Sequence, residues 1–241
     1  MLVSFLGTGC SAPPPGRGEV CILLDDGRTR ILLDVGAGCY SRLAARGLWL
    51  RDIDAVYVSH LHIDHYGGLG EIIVDALIKG YRGSKPLLLA GGLEPEPVLG
   101  ILPGRGRLLL KPRRLMPMRP YRVGSMILEA VPSVHSVESY AVIVRAGDGS
   151  MLLYSGDTRP LYSVVKDFEG GLVVHEATAP TNMCREAMET GHTCVEEALR
   201  LAGMTSAATA LVHLSTESLR ELWLRRPRGV LVPGDDTDFY L

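Results

Sequence analysis

Residues 59–68 read Ser-His-Leu-His-Ile-Asp-His-Tyr-Gly-Gly. Three of the chain's seven histidines, with one aspartate, fall between positions 60 and 65. A lone histidine is usually a polar loop residue. Four ligand-type side chains packed this closely are a metal motif, because neutral imidazole and carboxylate suit zinc and its neighbours. The apolar run AVYVS at 55–59 reads as a buried strand that ends where the cluster begins. His60, His62, Asp64 and His65 therefore stand on a loop carried by a rigid scaffold. So short a loop cannot enclose an ion alone, and further ligands are expected. His135 follows the strand MILEAVPS, Asp157 follows a strand in YSGDT, and His213 ends the strand ATALVHL. The remaining histidines are His175 and His192.

The chain has 241 residues, which allows one large domain over 1–241. Hydrophobic residues make up 46% and charged residues 22%, the proportions of a soluble globular protein. A net charge of −2 gives no global pull toward nucleic acid. The five cysteines (Cys10, Cys21, Cys39, Cys184, Cys194) are widely spaced and form no CxxC, which predicts reduced thiols and a cytoplasmic location. MLVSFLGTG reads as a first strand rather than a signal peptide. No apolar run approaches the ~20 residues of a membrane span. Asn182 is the sole asparagine and glutamine is absent, a habit of thermophile proteins.

Strands are predicted at the start of the chain, over 20–26, 29–35, 55–59, 86–90, 125–131, 140–146, 150–155, 171–177 and 207–215. GVLVPG and TDFYL close the chain. Helices are predicted over 37–47, 69–79 and 194–203. Asp26-Gly27 and Asp148-Gly149 mark hairpins. The fold class is α/β (α+β), with two mixed sheets packed together and covered by helices. Gly7-Thr8-Gly9-Cys10-Ser11-Ala12 imitates a dinucleotide fingerprint. The prolines at 13–15 prevent the helix that such a site requires.

Several segments together resemble the metallo-β-lactamase superfamily, and within it the ribonuclease Z branch of tRNA 3′-processing endonucleases. They are FLGTG (5–9), LLDVGAG (32–38), SHLHIDHYGGL (59–69), HSVESYAVIV (135–144), YSGDTRP (154–160), HEAT (175–178), GHT (191–193) and VHLS (212–215). The resemblance implies a four-layer αββα sandwich and two divalent ions, zinc first, with manganese or iron as alternatives. It assigns one ion to His60, His62 and His135, and the other to Asp64, His65 and His213, bridged by Asp157. Two such ions activate a shared water for attack on a phosphodiester. The resemblance also implies His192 as the acid that protonates the leaving oxygen, oriented by Glu176, with Asp64 assisting the attacking water. Asp34 is expected to hold a ligating histidine. His175, one residue from Glu176 on a strand, should point to the opposite face and lie behind the site.

Ribonuclease Z proteins usually carry an inserted arm that grips tRNA. Here 21 residues separate His135 from Asp157, and they read as a tight hairpin, so the arm is missing from that place. The basic strip containing Arg105, Arg107, Lys111, Arg113 and Arg114 offers a substitute grip on RNA phosphates. It reads equally well as a charged edge that discourages strand pairing. The expected partner is RNA, in the form of precursor tRNA, or else a small cyclic or dialkyl phosphodiester. A lactonase, a thioesterase or a non-catalytic partner protein is a weaker reading. No membrane partner is expected, and a homodimer is implied because relatives often pair.

Overall fold

The computed structural model describes residues 1–83, 86–90 and 94–241. Leu2–Gly7 (β1), Cys21–Asp25 (β2) and Arg30–Val35 (β3) form an antiparallel meander. Ala55–Val58 (β4), Leu87–Ala90 (β5) and Lys111–Arg114 (β6) then add in parallel. The second half repeats the scheme. Pro120–Val123 (β7), Met126–Pro132 (β8), Tyr140–Arg145 (β9) and Met151–Tyr154 (β10) are antiparallel. Leu172–Glu176 (β11), Ala208–Val212 (β12) and Val230–Leu231 (β13) follow in parallel. Thr237–Tyr240 (β14) returns to pair with β1. Among the described residues this gives two seven-stranded mixed sheets, ordered β14-β1-β2-β3-β4-β5-β6 and β13-β12-β11-β10-β9-β8-β7.

Side-chain alternation explains the layers. On β3, Ile31 and Leu33 face the other sheet, and Leu32 faces helices. Their inter-sheet partners include Leu128, Val142, Tyr154 and Val174. The outer face of the first sheet is covered by Cys39–Ala45 (α1) and Leu69–Ile78 (α2), through Leu43, Leu69 and Ile73. Next in the chain come the short helices Glu96–Gly100 (α3), Tyr162–Lys166 (α4) and Cys184–Thr190 (α5). Val195–Ala202 (α6) and Thr216–Arg225 (α7) complete the set. The outer face of the second sheet is covered by α4 and α6, through Val165 and Leu201, with α7 packing on α6 through Leu222. The expected αββα sandwich is therefore observed. Among the described residues no helix is long and apolar enough to cross a membrane.

The reading of the cysteines as reduced thiols is corrected. Cys21 is paired with Cys39 and Cys184 with Cys194, leaving Cys10 free among the described residues. Sequence separations of 18 and 10 carried no signal, yet folding brings the Cα atoms to 5.9 and 5.0 Å, within bridging range. Strands β6 and β7 and helices α3, α4, α5 and α7 are additions to the elements that sequence pattern predicted.

Candidate metal centre and catalytic site

The site lies where the C-terminal ends of strands from both sheets meet. His60 follows β4, His135 follows β8, Asp157 follows β10, Glu176 ends β11 and His213 follows β12. An isolated bridge between His60 and Ser139 joins the two edges. Asp34 and His213 hold left-handed backbone, with φ of 52° and 54°. Non-glycine residues rarely adopt this conformation, and such strain concentrates at functional sites.

Hydrogen bonds behind the histidines decide which nitrogen each presents. Asp34 is fully buried and accepts from the backbone N–H of Ser59 at 2.8 Å, the Ser59 hydroxyl at 2.7 Å and the Tyr154 hydroxyl at 2.6 Å. His65 Nδ1 lies 2.7 Å from the same carboxylate and donates to it. The Ser59 proton is thus committed, so its oxygen accepts from His60 Nδ1 at 3.1 Å. His135 Nδ1 donates to the Gly191 carbonyl at 2.8 Å. In all three rings Nδ1 carries a proton and Nε2 faces the site.

Two clusters result. In the first, His62 Nδ1 lies 3.0 Å from His60 Nε2 and 3.1 Å from His135 Nε2. Asp157 Oδ2 lies 3.7 and 3.9 Å from those two Nε2 atoms. In the second, Asp64 Oδ2 lies 3.6 Å from His65 Nε2 and 3.3 Å from His213 Nε2. Asp157 reaches both, with Oδ2 at 3.3 Å from His65 Nε2. The ligand atoms in each group lie within 4.8 Å of one another. His65 Nε2 and Asp157 Oδ1 are buried without a hydrogen-bond partner. Buried polar atoms are otherwise almost always satisfied. Imidazole nitrogens and carboxylate oxygens converging in buried clusters, one of those oxygens orphaned, fit divalent cations.

The electrostatics agree. Burial, reinforced by nearby imidazoles, pushes His60 well below its ordinary value, and burial also lowers His62 and His135. These rings are therefore neutral and free to ligate. Burial opposes the charged forms of Asp157 and His65, but His213 and His65 outweigh it for Asp157, and Asp157 and Asp34 outweigh it for His65, whose Nε2 proton a divalent cation would displace. Asp157 is held well below the carboxylate range, and His65, with Asp34 as a second partner, well above the imidazole range.

Glu176 is fully buried. It accepts from Thr158 N at 2.7 Å, Thr193 N at 3.2 Å, His192 Nδ1 at 3.0 Å and the Thr178 hydroxyl. Burial works against a charged His192, but Glu176 and then Asp157 push it up to about 9. Thr178 gives its proton to Glu176, so its oxygen accepts from His213 Nδ1 at 2.8 Å. That leaves His213 Nε2 for the cluster. His175 turns away, with Nδ1 donating to the Glu176 carbonyl at 2.8 Å and Nε2 accepting from Leu161 N at 3.5 Å.

The structure therefore brings together His60, His62, Asp64, His65, His135, Asp157 and His213, with Glu176 and His192 beside them and Asp34 behind. Arg105, Arg107, Lys111, Arg113 and Arg114 lie on β6 and the turn before it, all exposed. Ser59, Tyr154, Thr178 and Gly191 were not singled out from sequence. All four lie inside the quoted segments, but nothing in a pattern shows which hydroxyl or carbonyl reaches a ring nitrogen.

The family model described as "Anti-Pycsar protein Apyc1" matches residues 1–93. Ribonuclease Z 2, mitochondrial, of Schizosaccharomyces pombe is 28% identical over 97% of the chain, which spans 38% of that protein's length. Ribonuclease Z of Methanothermobacter thermautotrophicus is 27% identical over 99% of the chain and 94% of its own length. The metallo-β-lactamase fold protein YhfI from Bacillus subtilis superposes with a TM-score of 0.83 at 20% identity, covering 99% of both chains. Human tRNase Z, short form, gives 0.79 at 21% identity, covering 100% of this chain and 99% of that one. These likenesses show that the chain has the metallo-β-lactamase fold. Within that fold its sequence is ribonuclease Z-like.

Proposed function

We propose that the chain is a two-metal phosphodiesterase that cleaves RNA, with precursor tRNA 3′ ends as its substrate. The observation that carries this reading is the Glu176–His192 pair, 3.0 Å apart at the rim of the ligand cluster. Acyl transfer from an activated ester has little need of a dedicated proton donor, whereas a departing ribose alkoxide does. The names of the relatives support the same substrate.

His60, His62 and His135 would hold one cation and Asp64, His65 and His213 the other, with Asp157 shared. Two such cations, zinc by the donor set, would acidify a water between them and screen the phosphodiester charge. Asp64 would take a proton from the attacking water. His192 keeps Nδ1 on Glu176 and gives the Nε2 proton to the leaving oxygen. Glu176, satisfied by surrounding N–H and O–H donors, stabilises the charged ring before transfer.

A second reading is a phosphodiesterase for small cyclic or dialkyl phosphates. The tight hairpin between β9 and β10, closed at residues 146–150, favours it, since no arm rises there to grip RNA. A homodimer remains part of the first reading. The cytoplasm of a heat-adapted cell is the compartment that reconciles two disulfides with scarce amide side chains.

Zinc-loaded protein should be assayed on precursor tRNA, a cyclic nucleotide, bis(p-nitrophenyl) phosphate and a lactone. Cleavage of precursor tRNA next to its 3′ trailer is expected. Cleavage of the small diesters alone would select the second reading, and cleavage of the lactone alone would exclude both. His192→Ala should lower kcat by about 10²–10⁴-fold with two metals still bound per chain. Metal loss in that variant would contradict its role.

A further inference from the structure

The Cys184–Cys194 disulfide encloses the segment that carries His192. Cys184 opens α5 and Cys194 is the cap residue before α6. Between them lie α5, the left-handed Gly191 (φ 78°), His192 and Thr193. Cys194 is fully buried and fixed beside Ala179, where Val195 N donates to the Ala179 carbonyl at 2.9 Å. Beyond the disulfide, helix α5 is tied by packing against α6 and by Arg159 Nε, which donates to the Met188 carbonyl at 2.8 Å. Ala187 is its one buried residue, so it buries almost no apolar surface. Yet the position of His192 depends on α5, because His192 N donates to the Ala187 carbonyl at 2.7 Å. The disulfide ties the weakly packed end of this segment to its firmly packed end.

We infer that this bond is a redox-dependent positioning element for His192. A dithiol reductant would convert the disulfide to two thiols and become a cyclic disulfide itself, a balanced two-electron exchange. Reduction frees the start of α5, widens the motion of Ala187 and lets the His192 ring leave Glu176. Of the clustered residues, His135 touches the enclosed segment, where its Nδ1 donates to the Gly191 carbonyl at 2.8 Å; the other six side chains stand on elements outside it and keep the ions. Turnover therefore falls without loss of the ions. The inference rests on His192 being the proton donor.

The test uses zinc-loaded protein and bis(p-nitrophenyl) phosphate, before and after treatment with dithiothreitol, in wild type, Cys184→Ser, His192→Ala and the double variant. Reduction of wild type should lower kcat at least tenfold, change KM less than twofold and leave two metals per chain. Reoxidation should restore wild type. Cys184→Ser should start at the low kcat and ignore dithiothreitol. On the His192→Ala background, adding Cys184→Ser should cost less than twofold more, since the positioned group is already gone. An unchanged kcat in reduced wild type, a loss of metal on reduction, or a full tenfold loss in the double variant would overturn the inference. If His192→Ala itself keeps wild-type kcat, it is the proton-donor reading that has failed.

Discussion

At the scale of single residues, the site is governed by groups that touch no substrate. Thr178 joins the two halves of the chemistry, since its one hydroxyl donates to Glu176 and accepts from His213 Nδ1. Removing that oxygen frees the His213 tautomer and leaves a buried donor unpaired. Groups that orient a metal ligand typically matter by about 10–100-fold in metal affinity. Thr178→Val should therefore weaken one of the two zinc sites by roughly that factor, read by chelator competition, while Thr178→Ser stays near wild type. Equal affinities in all three proteins would refute the link. The residues that cluster were legible from sequence, because histidine is scarce here and they fall at strand ends or in the loop that follows β4. Their partners were not. Serine, threonine and a glycine carbonyl are common, and only the fold decides that Ser59 stands behind the adjacent His60, Thr178 behind His213, 35 positions away, and Gly191 behind His135, 56 positions away.

At the scale of elements, strands made of continuous apolar runs were readable and charged edges were not. Strand β6 is Lys-Pro-Arg-Arg, with three exposed cations and a proline. Such a sequence carries no strand signal, because an edge strand is shaped by the need to repel further pairing. Helix α7 buries only Ser218 and Leu222, too few for a clear periodic stripe. The edge position of β6 gives the basic strip two readings that experiment separates. Lys111→Glu with Arg113→Glu should raise KM for an RNA substrate about tenfold, the effect of lost phosphate contacts, and leave a small diester unchanged. Equal KM values for RNA would assign the charges to edge protection alone.

The two sheets are also pinned far from the metals. In the β2–β3 hairpin Asp26 accepts from Arg28 N at 2.9 Å, Thr29 N at 2.8 Å and the Ser125 hydroxyl of the β7–β8 turn. Burial raises the Asp26 carboxyl, but these donors outweigh it and hold it below its ordinary value. A depressed carboxyl stabilises the fold above its unfolded pKa, near ~3.9, and loses that effect as pH falls through its folded value. Asp26→Asn should therefore lower stability by about 1 kcal/mol at pH 7. The gap to wild type should close below about pH 4 in urea titrations. A gap that persists in acid would mean that charge is not the cause.

At the scale of the whole molecule, each half of the chain builds a sheet by the same scheme of antiparallel strands followed by parallel ones, and β14 from the second half is added to the first sheet beside β1. Neither half owns the site. The first supplies His60, His62, Asp64 and His65, and the second supplies His135, Asp157 and His213 together with Glu176 and His192. The covalent crossing between β6 and β7 runs through residues 115–119, where Met116 and Met118 are largely exposed. A backbone cut there would leave two complementing fragments, each carrying an incomplete set of donors. The second fragment would also bring β14, whose place is beside β1 of the first. Mixed together, the fragments should recover activity in step with added zinc, and neither alone should hold two ions. Full metal binding by one fragment would contradict this. A divalent ion would then act as the switch for a split enzyme, reporting the moment at which its two pieces meet.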